Sequence, residues 1–247
     1  MTSRQSDLLT AEHDLDGIAL GATPSRSIVL CTTPGTDCDP VANLLQRCSA
    51  GVPLEYFDLD GVAPQLVRRW RVINLDDYVT ALHHHRSAGS GVFGVVLAWR
   101  HLRRLHGRVA GTKQLTAERT LSITRTIAPQ PTFVLVRAAE PDHAAVALYA
   151  AERSGYDPRA IAERLALVEA TERAWLQWFD AVAVDPVEVS VGPGGEISPP
   201  PEQVLKAVGL TAPPKGIEPF DGYAPSPTVD DLVQRFRSAQ LVPSQIP

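Results

Sequence analysis

The chain has 247 residues, of which 44% are hydrophobic and 21% charged, and its formal net charge is -5. This is an ordinary globular composition, long enough for one substantial core, and its weak acidity excludes the broad basic face that nucleic-acid binding needs. No apolar run approaches the roughly 18 residues needed to span a bilayer, and the polar, acidic N-terminus lacks the form of a secretory signal.

Residues 1–24 show no steady periodicity and read as a loose tail. Ser27–Thr32 is a short apolar run, expected as a strand, and Pro34-Gly35 closes it with a turn signal. A helix is expected from Pro40, with Asp39 as its N-cap. Gly51–Phe57 reads as extended, Pro64–Arg71 and Leu75–His85 as helices, and Gly91–Trp99 as a buried strand entering a short helix. Thr132–Arg137 is the third expected strand, and Pro141-Asp142 opens a helix that continues through Arg153. From Pro158 to Phe179, Ile161, Leu165, Val168, Trp175 and Phe179 recur at helical spacing along one side. Val187–Val191 reads as a fourth strand, and Pro200–Val208 as a short helix stopped by Gly209. A Pro- and Gly-rich loop follows over 211–227, then a last helix over Thr228–Ala239, with residues 241–247 as a tail. Strands alternating with helices predict one α/β unit over 25–240: three layers, with a mostly parallel sheet between helices.

A strand, tight loop and helix at the start of a parallel sheet is where phosphates commonly bind, through backbone N–H groups and the helix dipole. Here the loop is Thr33-Pro34-Gly35-Thr36-Asp37-Cys38-Asp39-Pro40. Its two prolines lack N–H donors, its two aspartates add negative charge, and no Lys or Arg lies between Ser27 and Gln46. A multiply anionic ligand would meet repulsion there, so the loop reads as structural.

Several blocks, taken in order, resemble the bacterial trehalose 2-sulfotransferase family, whose members use the sulfate donor PAPS. Besides the opening strand and loop, Gly51-Val52-Pro53-Leu54-Glu55-Tyr56-Phe57 is similar to a Gly-Glu-Pro-x-Glu-Phe-Phe block of that family. Gly91–Trp99 is similar to a Gly-Val-x-Gly-x-Lys-x-x-Trp block, and Val134–Asp142 to the strand leading into Arg-Pro-Asp. Trp175-Leu176-Gln177-Trp178-Phe179 with Asp185–Val189 is similar to the Trp-x-x-Trp-Phe helix and the strand after it. The resemblance spans about Ser27 to Leu210 and implies a sulfotransferase/P-loop-like fold.

It also implies site roles, most of which this chain departs from. Thr33, Pro34, Gly35, Thr36 and Asp37 stand where the family has an Arg-Ser-Gly-Ser-Thr loop for the 5′-phosphosulfate. The Arg that grips the 3′-phosphate falls on Glu140, its partner Ser near Ala145, and the Lys of the third block on Val96. The basic donor loop falls on Glu218–Tyr223, and the sugar-binding neighbour of the catalytic carboxylate on Val52. Only Glu55 keeps a catalytic identity, that of the general base that deprotonates the acceptor hydroxyl. Sulfuryl transfer needs cationic or N–H groups around the donor, so no cofactor is expected for this chain alone, and PAPS is assigned to a partner.

The histidine run His83-His84-His85 points in three directions on a helix and cannot share one ion, and the three cysteines form no CxxC pair, so no metal site or disulfide framework is expected. That cysteine usage makes a reducing cytoplasm the default compartment. Arg100, Arg103, Arg104 and Arg108, with His101 and His106, read as a solvated helix face. Trp175 and Trp178 read as core packing, Cys31 as inert and Cys38 as exposed without a base. Three functional readings stand. One is a non-catalytic subunit that forms a heterodimer with an active homologous sulfotransferase, with neither nucleic acid nor membrane as a partner. The resemblance places such pairs in natural-product pathways, where sulfation of a hydroxyl lets a neighbouring amine close an aziridine. The second is an active enzyme with an atypical donor site, and the third a small-molecule binding protein or unrelated enzyme on the same fold.

Overall fold

The computed structural model describes residues 23–111, 116–153, 155–212 and 227–240. The two expected tails, apart from Thr23 and Pro24, lie outside the described residues, as do Glu218–Tyr223.

β1 (Arg26–Thr32) shows why the molecule is layered. Its residues are buried in both directions, Ile28 and Leu30 into one cluster and Val29 and Cys31 into another. Such a strand must be covered on both faces. β2 (Val92–Ala98) and β3 (Pro131–Ala138) repeat the pattern, whereas β4 (Val187–Val191) buries Val189 and Val191 in the first cluster alone, and the two-residue β5 (Ile197–Ser198) pairs antiparallel at the edge. The order is β2-β1-β3-β4-β5, with the first four strands parallel. β1 therefore has β2 on one side and β3 on the other. In open α/β sheets, ligand crevices lie beyond the carboxyl ends of strands at such a reversal.

One face carries α1 (Asp39–Arg47) and α8 (Pro201–Ala207), whose Val41, Leu44, Leu45, Val204 and Leu205 meet Ile28, Leu30, Val134 and Val189. The other carries α2 (Val62–Trp70), α3 (Leu75–Arg86), α4 (Trp99–Ala110), α5 (Ala117–Ile127) and the 24-residue α7 (Pro158–Ala181). α6 (Pro141–Glu152) and α9 (Pro227–Gln240) pack with α7 in a third cluster around Val146, Tyr149, Ile161 and Phe236. No helix among the described residues is long and apolar enough to cross a membrane.

Several expectations need correction. The residue capping α1 is Cys38, not Asp39, which is already helical; Asp37 Oδ1 accepts from the Asp39 amide at 2.9 Å and supplies the acceptor one step earlier. The helix after Trp99 is not short but has 12 residues. α5 and β5 are unforeseen: α5 buries Thr120 and Thr124 beside Ile123 and Ile127, a face too polar for an apolar count to find.

Candidate functional site

The loop after β1 is folded onto its own chain. The Thr36 amide donates to the Thr33 carbonyl at 3.3 Å, and the Thr33 and Thr36 hydroxyls are 2.6 Å apart. Gly35 has φ +73°, and a Cβ there would lie 2.3 Å from the Ala144 carbonyl oxygen of α6. The loop thus presses its backbone against that helix, and only glycine allows the approach. The amides of Thr36 and Asp39 are spent within the loop.

Beyond the carboxyl ends of β1, β3 and β4, between Gly35, Asp37, Glu140, His143 and Gly192, the crevice has about 20 Å³ of room. That accommodates about one water. Glu140, at the N-cap of α6, is held from within the chain. Arg237 of α9 donates to Glu140 Oε2 at 2.6 Å and to Asp142 Oδ1 at 2.9 Å, and its Nε also meets Asp142. This guanidinium holds the Asp142 carboxyl below the ordinary carboxylate range. Ala145 is fully buried on α6.

On the other side of the same loop, beyond β1 and β2, lies a cleft of about 670 Å³. Thr33, Pro34, Gly35, Thr36 and Cys38 line it from the loop, Glu55 from the segment before α2, and Arg100 and Arg103 from α4. Arg164 of α7, paired with Glu152, closes one side, and Leu148, Leu167 and Trp99 make the apolar wall. Chain order hides this meeting. The loop has no cation of its own, yet two exposed arginines reach the cleft from a helix that starts 60 residues downstream of Asp39. Trp175 fixes the frame: it is fully buried, its indole N–H donates to the Thr32 carbonyl at 3.1 Å, and its ring meets Trp99 edge-on at 4.8 Å.

The basic stretch of α4 is only half a solvated face. Its arginines are exposed, but His101 and His106 are each 1% exposed. Burial, with Arg100 beside it, pushes the His101 imidazole down to about 4, so it is neutral at pH 7. The ring approaches Asp58 at 3.6 Å and accepts from Arg100 Nε at 2.9 Å. Glu55, Asp58 and His101 bring one polar atom each to within 4.8 Å of one another. The histidine run diverges as its helical spacing requires. His83 bonds the Ile127 carbonyl at 2.9 Å and His85 stacks on Trp70, so two of the three are packed rather than solvated. Cys38 is half-buried, not exposed; burial and the nearby Asp39, Glu55 and Asp37 carboxylates push its thiol up, leaving it protonated and a poor nucleophile. Burial alone does the same to Cys31.

Two lobes thus flank one loop: a closed crevice at β3 and β4, and an open, mixed-charge cleft at β2. No curated protein matches the chain. Residues 140–237, from the N-cap of α6 into α9, match the model of the Stf0 sulphotransferase family, which relates the chain to the sulfotransferases through its second half.

Proposed function

We propose that this chain is a non-catalytic, sulfotransferase-like subunit that stabilises or assists an active homologous sulfotransferase in the cytoplasm. The partner carries PAPS and sulfates a small-molecule hydroxyl in natural-product biosynthesis, after which a neighbouring amine displaces the sulfate and closes an aziridine. One observation carries the reading. Where the resemblance places a cation for the donor's 3′-phosphate stands Glu140, bound to the chain's own Arg237, over a crevice of about 20 Å³. A bisphosphate there would meet a carboxylate and no room, and would have to displace an internal ion pair.

Titration calorimetry with adenosine 3′,5′-bisphosphate, the desulfated donor, tests this on the purified chain. No heat is expected at millimolar ligand, and co-expression with a homologous sulfotransferase should yield a complex that does bind it. Micromolar binding by the isolated chain would overturn the reading in favour of an active enzyme with an atypical donor site.

A second reading has its own support in the cleft of about 670 Å³, a volume suited to a small molecule, with Glu55 opposite Arg100 and Arg103. On that reading the chain binds a small molecule itself, and Glu55→Gln abolishes the binding without affecting assembly with a partner.

A further inference from the structure

A groove of about 570 Å³ lies between α2, the first turn of α3 and the last turns of α4, and it shares no lining residue with the cleft or the crevice. Phe57 and Leu105 line it from the core. Five large apolar residues are exposed among the described residues, and three of them, Val67, Ile73 and Val109, border this one groove. Scattered singly they would need no explanation; gathered round one recess they mark a surface built for contact.

Ile73 is the extreme case, 90% exposed. The turn that carries it is held at both ends. α2 stops at Arg71, which takes φ +54°, and the Val72 amide donates to the Val67 carbonyl at 3.3 Å. α3 is capped by Asn74, whose side chain accepts from the Asp77 amide at 2.8 Å. Ile73 therefore stands as a fixed projection beside a recess, and its stiff, branched side chain has little freedom to lose on contact. Two charges share the same rim. Asp76 and Arg108 both line the groove and both are exposed, and neither side chain has an ion pair or hydrogen bond among the described residues. Their neighbours do: Arg104 meets Asp60, and Asp77 is tied to Asn74.

A projection beside a recess, with one acid and one base on its rim, is a surface that fits a copy of itself. In a two-fold pair the same patch serves both sides, so a residue i that meets j is matched by j meeting i. A partner of uniform charge would satisfy one of the two rim charges and repel the other. We propose that this groove is the face on which two copies of the chain pair about a two-fold axis. Ile73 of each copy enters the groove of the other, and Asp76 of each meets Arg108 of the partner subunit. This pairing goes beyond the companion role and does not depend on it.

Sedimentation velocity of the full chain at micromolar concentration should show a species of twice the 26.7 kDa chain mass. Ile73→Asp should raise the dimer dissociation constant at least about a hundredfold, because the change falls on both sides of the axis. A side chain this exposed can be changed without unfolding the monomer. Asp76→Arg and Arg108→Asp should each be mainly monomeric, since each sets like charges together twice. Mixed in equal amounts they should pair again, because one copy then carries two bases at the rim and the other two acids. Mixing repairs no folding defect. Leu176→Asp, at an exposed position on α7, should leave the dimer intact. A monomeric wild type, a dimer that survives Ile73→Asp or is lost in Leu176→Asp, or charge variants that stay apart on mixing would each overturn the proposal. A wild-type monomer that binds a homologous sulfotransferase or a small apolar molecule, and loses that binding in Ile73→Asp, would assign the groove to that occupant and overturn it as well.

Discussion

At the scale of single residues, Arg237 has the clearest structural task. It joins α9 to the start of α6 through two carboxylates, Glu140 and Asp142, and all three groups are partly exposed. Water screens such a pair, so its removal is modest in energy: Arg237→Ala should lower stability by about 1 kcal/mol at pH 7. The pH dependence follows from the direction of the Asp142 shift. A carboxyl whose pKa is depressed on folding stabilises above its unfolded value, about 3.9, and loses that contribution as pH falls through the lower folded value. The gap between wild type and Arg237→Ala in urea midpoint should therefore be full at pH 7 and shrink below about pH 4. A gap that is unchanged at pH 3 would mean that Arg237 acts through packing of its stem against α6. None of this was open to sequence reading: Glu140 and Arg237 lie 97 residues apart, and charge reversal at one position names no partner.

At the scale of elements, most of the fold was legible because burial imposes a period. β4 falls on its expected residues, and β1, β3, α6 and α7 begin or end within two residues of where apolar spacing and Pro signals put them. What escaped lacks that period. α5 uses threonines inside, their hydroxyls returned to carbonyls one turn back, as Thr124 to Thr120 at 2.9 Å. The cap of α1 was misplaced by one residue because Asp37 and Asp39 are equally good acceptors in sequence, and only the turn decides between them. The same turn rests on Gly35. Adding a methyl at φ +73°, 2.3 Å from a helix carbonyl, combines backbone strain with overpacking. Gly35→Ala should cost about 3 kcal/mol and shift the urea midpoint accordingly. A loss under about 0.5 kcal/mol, the range of an ordinary surface change, would show that the loop can lift off α6 and that the crevice beside it can open.

At the scale of the whole molecule, the site divides between what chain order reveals and what only folding brings together. The missing cations of the first loop are plain in the sequence. Arg100 and Arg103, which border the same loop from α4, are not, and neither is the gathering of Glu55, Asp58 and His101. The closed crevice is likewise a product of several elements at once. Gly35 packs on α6, the loop amides are satisfied locally, and α9 delivers Arg237 to Glu140. Restoring one charge should therefore not restore a donor site. Glu140→Arg supplies the cation that the sulfotransferase resemblance expects, but it sets two guanidiniums together at α6 and puts a longer side chain beside a crevice that has only about 20 Å³ to begin with. The expected result in calorimetry is a less stable protein that still shows no heat with millimolar adenosine 3′,5′-bisphosphate. If this one substitution instead yields micromolar binding, charge alone kept the nucleotide out, and the packing of loop, α6 and α9 gives way to a ligand.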